Sequence, residues 1–196
     1  MVIEMRRIDV GVDEANELLN QAGLASVNTM EILQGGWDNT NILLTLTDAS
    51  KVVLKVWNAN TIEEVRRVLA RHCHLDGHGI PTALPIEFHD GELVVEKEGM
   101  AWTILPFVQG GMLGTDEESL KSLGQTLARL QQIPTADCFP DEYRMGWALF
   151  DEMFEIADDT NSWSDFLISL KKESESLRNQ IPANLPQGIL HGDLFP

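Results

Sequence analysis

Hydrophobic and polar positions alternate with two different periods along this chain, and the switches between them mark its elements. Val12, Ala15, Leu18, Leu19 and Ala22 recur at helical spacing and Gly23 follows as a stop, which predicts a short helix over 12–23. The period then falls towards two. Glu31-Ile-Leu-Gln, Asn41-Ile-Leu-Leu-Thr-Leu-Thr47 and Lys51-Val-Val-Leu-Lys-Val-Trp57 read as three strands. Gly35-Gly36 separates the first two, and the turn Asp48-Ala-Ser50 separates the second from the third. Helical spacing returns at Ile62, Val65, Val68, Leu69, His72 and Leu75, with Thr61 placed to cap the helix and Gly77 and Gly79 to end it. Past Pro81 and Pro85, residues 86–108 read as strands again, turned at His89-Asp-Gly91 and Lys97-Glu-Gly99.

The second half is helical. Leu120, Leu123, Leu127 and Leu130 share one helix face, and Ser164 can cap a helix carrying Leu167, Leu170, Leu177 and Ile181. Pro182 and Pro186 break that pattern before Gly188-Ile-Leu-His-Gly-Asp193. Strands followed by helices predict an α+β fold: an antiparallel five-stranded lobe with one inserted helix, then a helical region.

Composition narrows the partners. The 196 residues carry 14 Lys+Arg against 31 Asp+Glu, a net charge of −17, which argues against nucleic acid and anionic membranes. No long apolar span or leader pattern is present, and the two cysteines, Cys73 and Cys138, form no CxxC motif. The expected setting is therefore cytoplasmic.

Four groups could carry chemistry. Gly35-Gly36-Trp37-Asp38-Asn39 joins two strands, and its backbone N–H groups could cradle a phosphate; the same residues also suit a plain hairpin turn. Lys55 lies between apolar neighbours on a strand, where it could neutralise phosphate oxygens or simply reach water. Glu63 and Glu64 open the next helix. Either could hold Lys55, or merely complement the helix dipole, and no Glu follows later in that helix. Asp193, after a short apolar strand (Gly188-Ile-Leu190) and a tight turn, could orient the proton of an attacking hydroxyl, or bond only to its own backbone. His74 and His78 are four residues apart, but the flanking glycines and the lack of further ligands argue against a metal site.

The order of these parts resembles the aminoglycoside phosphotransferase/choline kinase superfamily. The N-terminal lobe is matched by Gly35-Gly-Trp-Asp-Asn39, Val53-Leu-Lys-Val56 and a helix ending at Gly79-Ile-Pro81. Ala101-Trp-Thr-Ile-Leu-Pro-Phe-Val-Gln-Gly110 is similar to the fifth strand and interlobe hinge, and Leu123-Gly-Gln-Thr-Leu-Ala-Arg-Leu130 to the first helix of the second lobe. Gly188-Ile-Leu-His-Gly-Asp-Leu-Phe-Pro196 is similar to the catalytic loop, its wording closest to the bacterial homoserine kinase type II group.

The resemblance implies a protein-kinase-like fold. Residues 1–108 would be the nucleotide-binding lobe, and 109–196 the hinge exit and a partial helical lobe. It implies transfer of the ATP γ-phosphoryl, with Mg²⁺, to a hydroxyl of a small molecule that is homoserine-, choline- or aminoglycoside-like. Gly35, Gly36 and Asn39 would cover the phosphates and Lys55 would hold them. Pro106, Phe107 and Val108 would meet the adenine, and Asp193 would be the base. Residues 109–166 hold twelve acidic and three basic side chains, net −9, which suits an amino-bearing acceptor. A kinase-type loop places a metal-binding Asn five residues after the Asp, and only three residues follow Asp193. The expectation is thus the N-terminal portion of a small-molecule kinase, binding nucleotide with little or no turnover in this form. The alternative is a non-catalytic nucleotide- or partner-binding pseudokinase module.

Overall fold

A computed structural model of the chain describes residues 9–33, 39–111, 113–140, 146–182 and 184–192. Gly35 and Gly36 of the glycine loop, and Asp193, lie outside them. The order is α1 (Val12–Gln21), β1 (Val27–Ile32), β2 (Asn39–Leu46), β3 (Lys51–Trp57), α2 (Ile62–Gly77), β4 (Val95–Lys97), β5 (Met100–Pro106), α3 (Glu117–Gln131), α4 (Trp147–Asp159) and α5 (Asp165–Gln180). The five strands form one sheet, ordered β1-β2-β3-β5-β4, with every neighbouring pair antiparallel. This is the α+β plan the periodicity predicts, with α2 inserted between β3 and β4.

Strict alternation sorts β2 and β3 into two faces. One face carries Ile42, Leu44, Leu46, Val52, Leu54 and Val56, joined by Trp102 and Ile104 of β5. Ala15, Leu18 and Leu19 of α1 close over it, each no more than 1% exposed. Lys97 of β4 clamps the same helix by ion pairs to Glu14 at 3.2 Å and Glu17 at 2.7 Å. On the other face Trp57 and Ala101 pack with Val65 and Leu69 of α2.

Two expectations shift. The first strand begins at Val27, four residues before Glu31, and runs to Ile32. Residues 86–94 form no strand, although Ile86 donates to the Ile104 carbonyl at 2.7 Å. The next N–H on that side, of Phe88, donates to the Glu92 carbonyl at 2.9 Å, so the single bond does not extend into a ladder. The Phe88–Glu92 segment turns back on itself instead, with Gly91 at φ +82°. The β4–β5 hairpin turns on Glu98 and Gly99, at φ +54° and +74°, the pair of left-handed positions that a two-residue hairpin of this twist requires.

The chain divides into two compact units, Met1–Cys138 with Ile189–Pro196, and Phe139–Gly188. In the second, α4 and α5 are joined by Arg178, which bonds Asp151 at 2.7 Å and the Trp147 carbonyl at 3.2 Å while lying over the Trp147 ring. Ser164 caps α5 as expected, accepting from the Leu167 N–H. The buried position on α5 is Ser174, however; Leu177 and Ile181 stay about half exposed.

Candidate functional site

Register decides which side chains meet. In β2, β3 and β5, Asn41, Lys55 and Thr103 lie directly opposite one another, as do Asn39, Trp57 and Ala101. All six therefore share one face, the one α2 packs against. Thr103 is fully buried there, and its hydroxyl accepts from the Trp57 indole N–H at 3.1 Å. That bond fixes the indole plane. The Lys55 ammonium sits over the ring, 3.7 Å from its centroid.

Lys55 is half-buried, and burial lowers its pKa from the ordinary 10.5. Among the described residues no carboxylate stands within ion-pair distance of it. Glu64 is engaged elsewhere: it accepts from the Thr61 N–H at 2.8 Å, while the Thr61 hydroxyl accepts from the Glu64 N–H at 3.3 Å. This capping box holds the Glu64 carboxyl below its usual range. Of the two roles open to Glu64, the structure displays the helix-terminal one. A half-desolvated cation with no carboxylate beside it among the described residues is chemically suited to an anionic group. Asn39, on the same face, keeps its Oδ1 buried and unpartnered; that oxygen is an acceptor and suits a donor, so only the amide NH₂ of this side chain can meet a phosphate oxygen. Mg²⁺ is a different matter. Among the described residues no three His, Cys, Asp or Glu side chains converge on a metal position.

The predicted base-binding segment continues β5. Pro106 ends the strand, and Phe107 and Val108 follow, 37% and 72% exposed. The Phe107 N–H reaches the Lys51 carbonyl at 3.4 Å, and the Lys51 ammonium lies 5.7 Å from the Phe107 ring centre. From Thr103, beside Lys55, to Pro106 is three strand residues, roughly 10 Å, a span on the scale of a nucleoside. Ahead of Asp193, Ile189 is buried and Gly192 adopts φ +78°, so the glycine of His-Gly-Asp serves a backbone turn closed to most side chains. No strand forms over 188–192.

A profile of the phosphotransferase enzyme family (APH) matches residues 29–196. The chain belongs to this family. Among its APH-family relatives, a homoserine kinase of Bradyrhizobium diazoefficiens is 28% identical over 193 residues, covering 95% of this chain and 58% of the relative. A homoserine kinase of Phenylobacterium zucineum is 27% identical, covering 96% and 59%. The chain thus spans about three-fifths of the length of these relatives. Spectinomycin phosphotransferase APH(9)-Ia, solved with ADP and spectinomycin, superposes with a TM-score of 0.66 over 95% of this chain and 64% of its own, at 15% identity. Amicoumacin kinase hAmiN, solved with AMP-PNP and Ca²⁺, superposes with a TM-score of 0.58 over 93% and 58%, at 18% identity. These likenesses establish the protein-kinase-like fold of this APH-family chain. Among the described residues no helix is long and apolar enough to cross a membrane.

Sequence reasoning singled out Lys55 and the β5 exit, and the fold puts both along β3–β5. It assigned nothing to Trp57, Thr103 or His72. The period of two already places Lys55 and Trp57 on one face, which was the available signal for the indole.

Proposed function

We propose that the protein of which this chain forms at least a part transfers the γ-phosphoryl of ATP to a hydroxyl of a small, amino-bearing molecule such as homoserine, choline or an aminoglycoside. Residues 1–108 bind the nucleotide, and 109–196 supply the hinge exit and part of the acceptor lobe. The observation that carries this reading is Lys55: a half-buried ammonium, without a carboxylate among the described residues, in a chain of the phosphotransferase family. Lys55 meets the phosphates, Asn39 with Gly35 and Gly36 covers them, and main-chain groups of 106–108 meet the base. Asp193 orients the acceptor hydroxyl. Catalysis in such a site rests on positioning and on neutralising charge, with Mg²⁺ supplying much of the neutralisation when bound.

The test is thermal unfolding with and without ATP. Wild type is stabilised by ATP, and Lys55→Ala loses most of that shift. Equal shifts in the two proteins, or none in wild type, overturn the nucleotide site. For the acceptor, a panel of hydroxylated amines with ATP and Mg²⁺ is assayed on the full-length gene product. Turnover with none of them overturns the acceptor class.

A further inference from the structure

A kinase-type site uses a helix side chain to hold the strand lysine, but among the described residues no α2 carboxylate pairs with Lys55: Glu64 is committed to its cap, and Glu63 and Asp76 make no ion pair with it. Val65, Leu69 and His72 follow one another at four and three residues along α2, and the first two pack against Trp57, beneath Lys55. His72 is the polar end of that stripe. Its Nδ1 is buried and has no hydrogen-bond partner, while the Ala83 carbonyl favours a proton on the ring. A ring nitrogen shielded from water and left unmatched is uncommon in a folded protein.

We propose that His72 is the positioning residue for Lys55: its neutral imidazole offers Nδ1 as the acceptor that holds the ammonium, above the Trp57 ring, in place for the nucleotide phosphates. The inference rests on the nucleotide-site reading given above. Lys55 has three N–H donors, and the indole face engages only one side of the ammonium. Lys55 is near enough for its charge to act on the His72 ring, and its flexible stem leaves donors that the indole face does not engage. Electrostatics agree. Burial, first, and then the positive charges of Lys55 and Arg71 press the His72 pKa below the ordinary 6.5, against the Ala83 carbonyl, which raises it. At neutral pH the ring is therefore neutral and free to accept. A carboxylate would pair with Lys55 more strongly and compete with the phosphates for it. A neutral acceptor orients the lysine while leaving its charge to the nucleotide.

The first test needs no nucleotide. His72 is titrated by NMR in wild type and in Lys55→Met. Its pKa rises towards 6.5 in the variant if the ammonium faces the ring, and an unchanged pKa overturns the pairing. The second test compares His72→Leu, which keeps apolar bulk, with His72→Asn, whose amide can place an oxygen near the Nδ1 position. The Lys55 amine, followed by pH-dependent acylation and mass spectrometry, has a lower pKa in His72→Leu and a near-native one in His72→Asn. ATP affinity falls roughly tenfold in His72→Leu and is largely restored in His72→Asn. Equal effects of both substitutions reduce His72 to a packing residue and overturn the proposal. If wild type binds no ATP, the nucleotide-site reading fails, and the titration and acylation arms still decide whether His72 holds Lys55.

Discussion

The two faces of the sheet are built from the same three strands and differ in almost every other respect. The face under α1 is apolar, sealed and regular: Leu44, Leu54, Trp102 and Ile104 are all fully buried against Ala15, Leu18 and Leu19. The face under α2 alternates apolar residues with Asn39, Asn41, Lys55 and Thr103, and it keeps unmatched polar atoms on Asn39 and His72. Buried polar groups are normally satisfied, because leaving one unmatched costs about 1–3 kcal/mol. Two of the four such atoms among the described residues, Asn39 Oδ1 and His72 Nδ1, lie on the α2 side, the others being Asn58 Oδ1 and Arg178 Nε. With Lys55 there, we read the α2 face as the one that meets a ligand and the α1 face as the one that holds the strands in register. Stability and function should therefore separate cleanly by face.

The largest expected effect lies on the α1 face. Leu54→Ala leaves a cavity in the sealed core and costs about 2–5 kcal/mol in chemical denaturation, with ATP affinity per folded molecule unchanged. A comparable loss of affinity at native stability would erase the distinction between the faces. The converse holds one position along β3. Lys55→Met weakens ATP binding on the order of 10–100-fold, the worth of a hydrogen-bonded charge, yet leaves the ligand-free protein as stable as wild type or more so. The sign follows from burial, which lowers the folded-state pKa of Lys55 below 10.5. The unfolded chain then binds the proton more readily, so in wild type the penalty is fully present below the folded pKa and lifts as pH rises towards 10.5. Lys55→Met lacks that slope.

Trp57→Phe comes next. It keeps a ring beneath Lys55 but removes the indole N–H, leaving the buried Thr103 hydroxyl without its donor, at a cost of about 1–2 kcal/mol. Trp57→Phe with Thr103→Val recovers part of that loss, because both polar partners are then gone. A double variant no more stable than Trp57→Phe alone would show that the bond is not what fixes the ring. A smaller effect attaches to His72. Its lowered pKa means that wild type loses stability as pH falls through 6.5 towards the folded value, where the buried ring must charge. His72→Leu flattens that part of the stability–pH curve and leaves the rest unchanged.

Legibility in the sequence followed the same division. The α1 face could be read residue by residue, since Val52, Leu54 and Val56 repeat at two while Ala15, Leu18 and Leu19 follow a helical pattern. Lys51–Trp57 matches its predicted strand at both ends, and Thr61 its predicted cap. Residues 86–94 were misread because apolar alternation cannot show that the Phe88 N–H turns to the Glu92 carbonyl and leaves a single bond to β5. On α5, Leu177 and Ile181 carry the apolar pattern, but the buried position is Ser174, and Arg178 makes the bonds to α4, which exist only after folding. The candidate site was half legible. Lys55 stood out as a cation among apolar neighbours, whereas His72 became visible only once strand register and helix packing brought α2 over β3.

The smallest effect concerns Glu64 and bears most directly on how Lys55 is held. In the folded chain its carboxylate accepts from the Thr61 N–H, and its own N–H donates to the Thr61 hydroxyl. Glu64→Ala removes half of a capping box and one charge suited to a helix N-terminus, so it lowers stability by about 0.5–1 kcal/mol. Thr61→Ala lowers it by a similar amount, and the two losses combine to less than their sum, because both report the same box. Neither variant changes ATP affinity or the acylation pKa of Lys55. If Glu64→Ala instead lowers that pKa and weakens ATP binding while Thr61→Ala does not, then Glu64 leaves its cap to serve the lysine. The division between a face that stabilises and a face that binds would then extend to the first turn of α2, and His72 would share its task with a carboxylate.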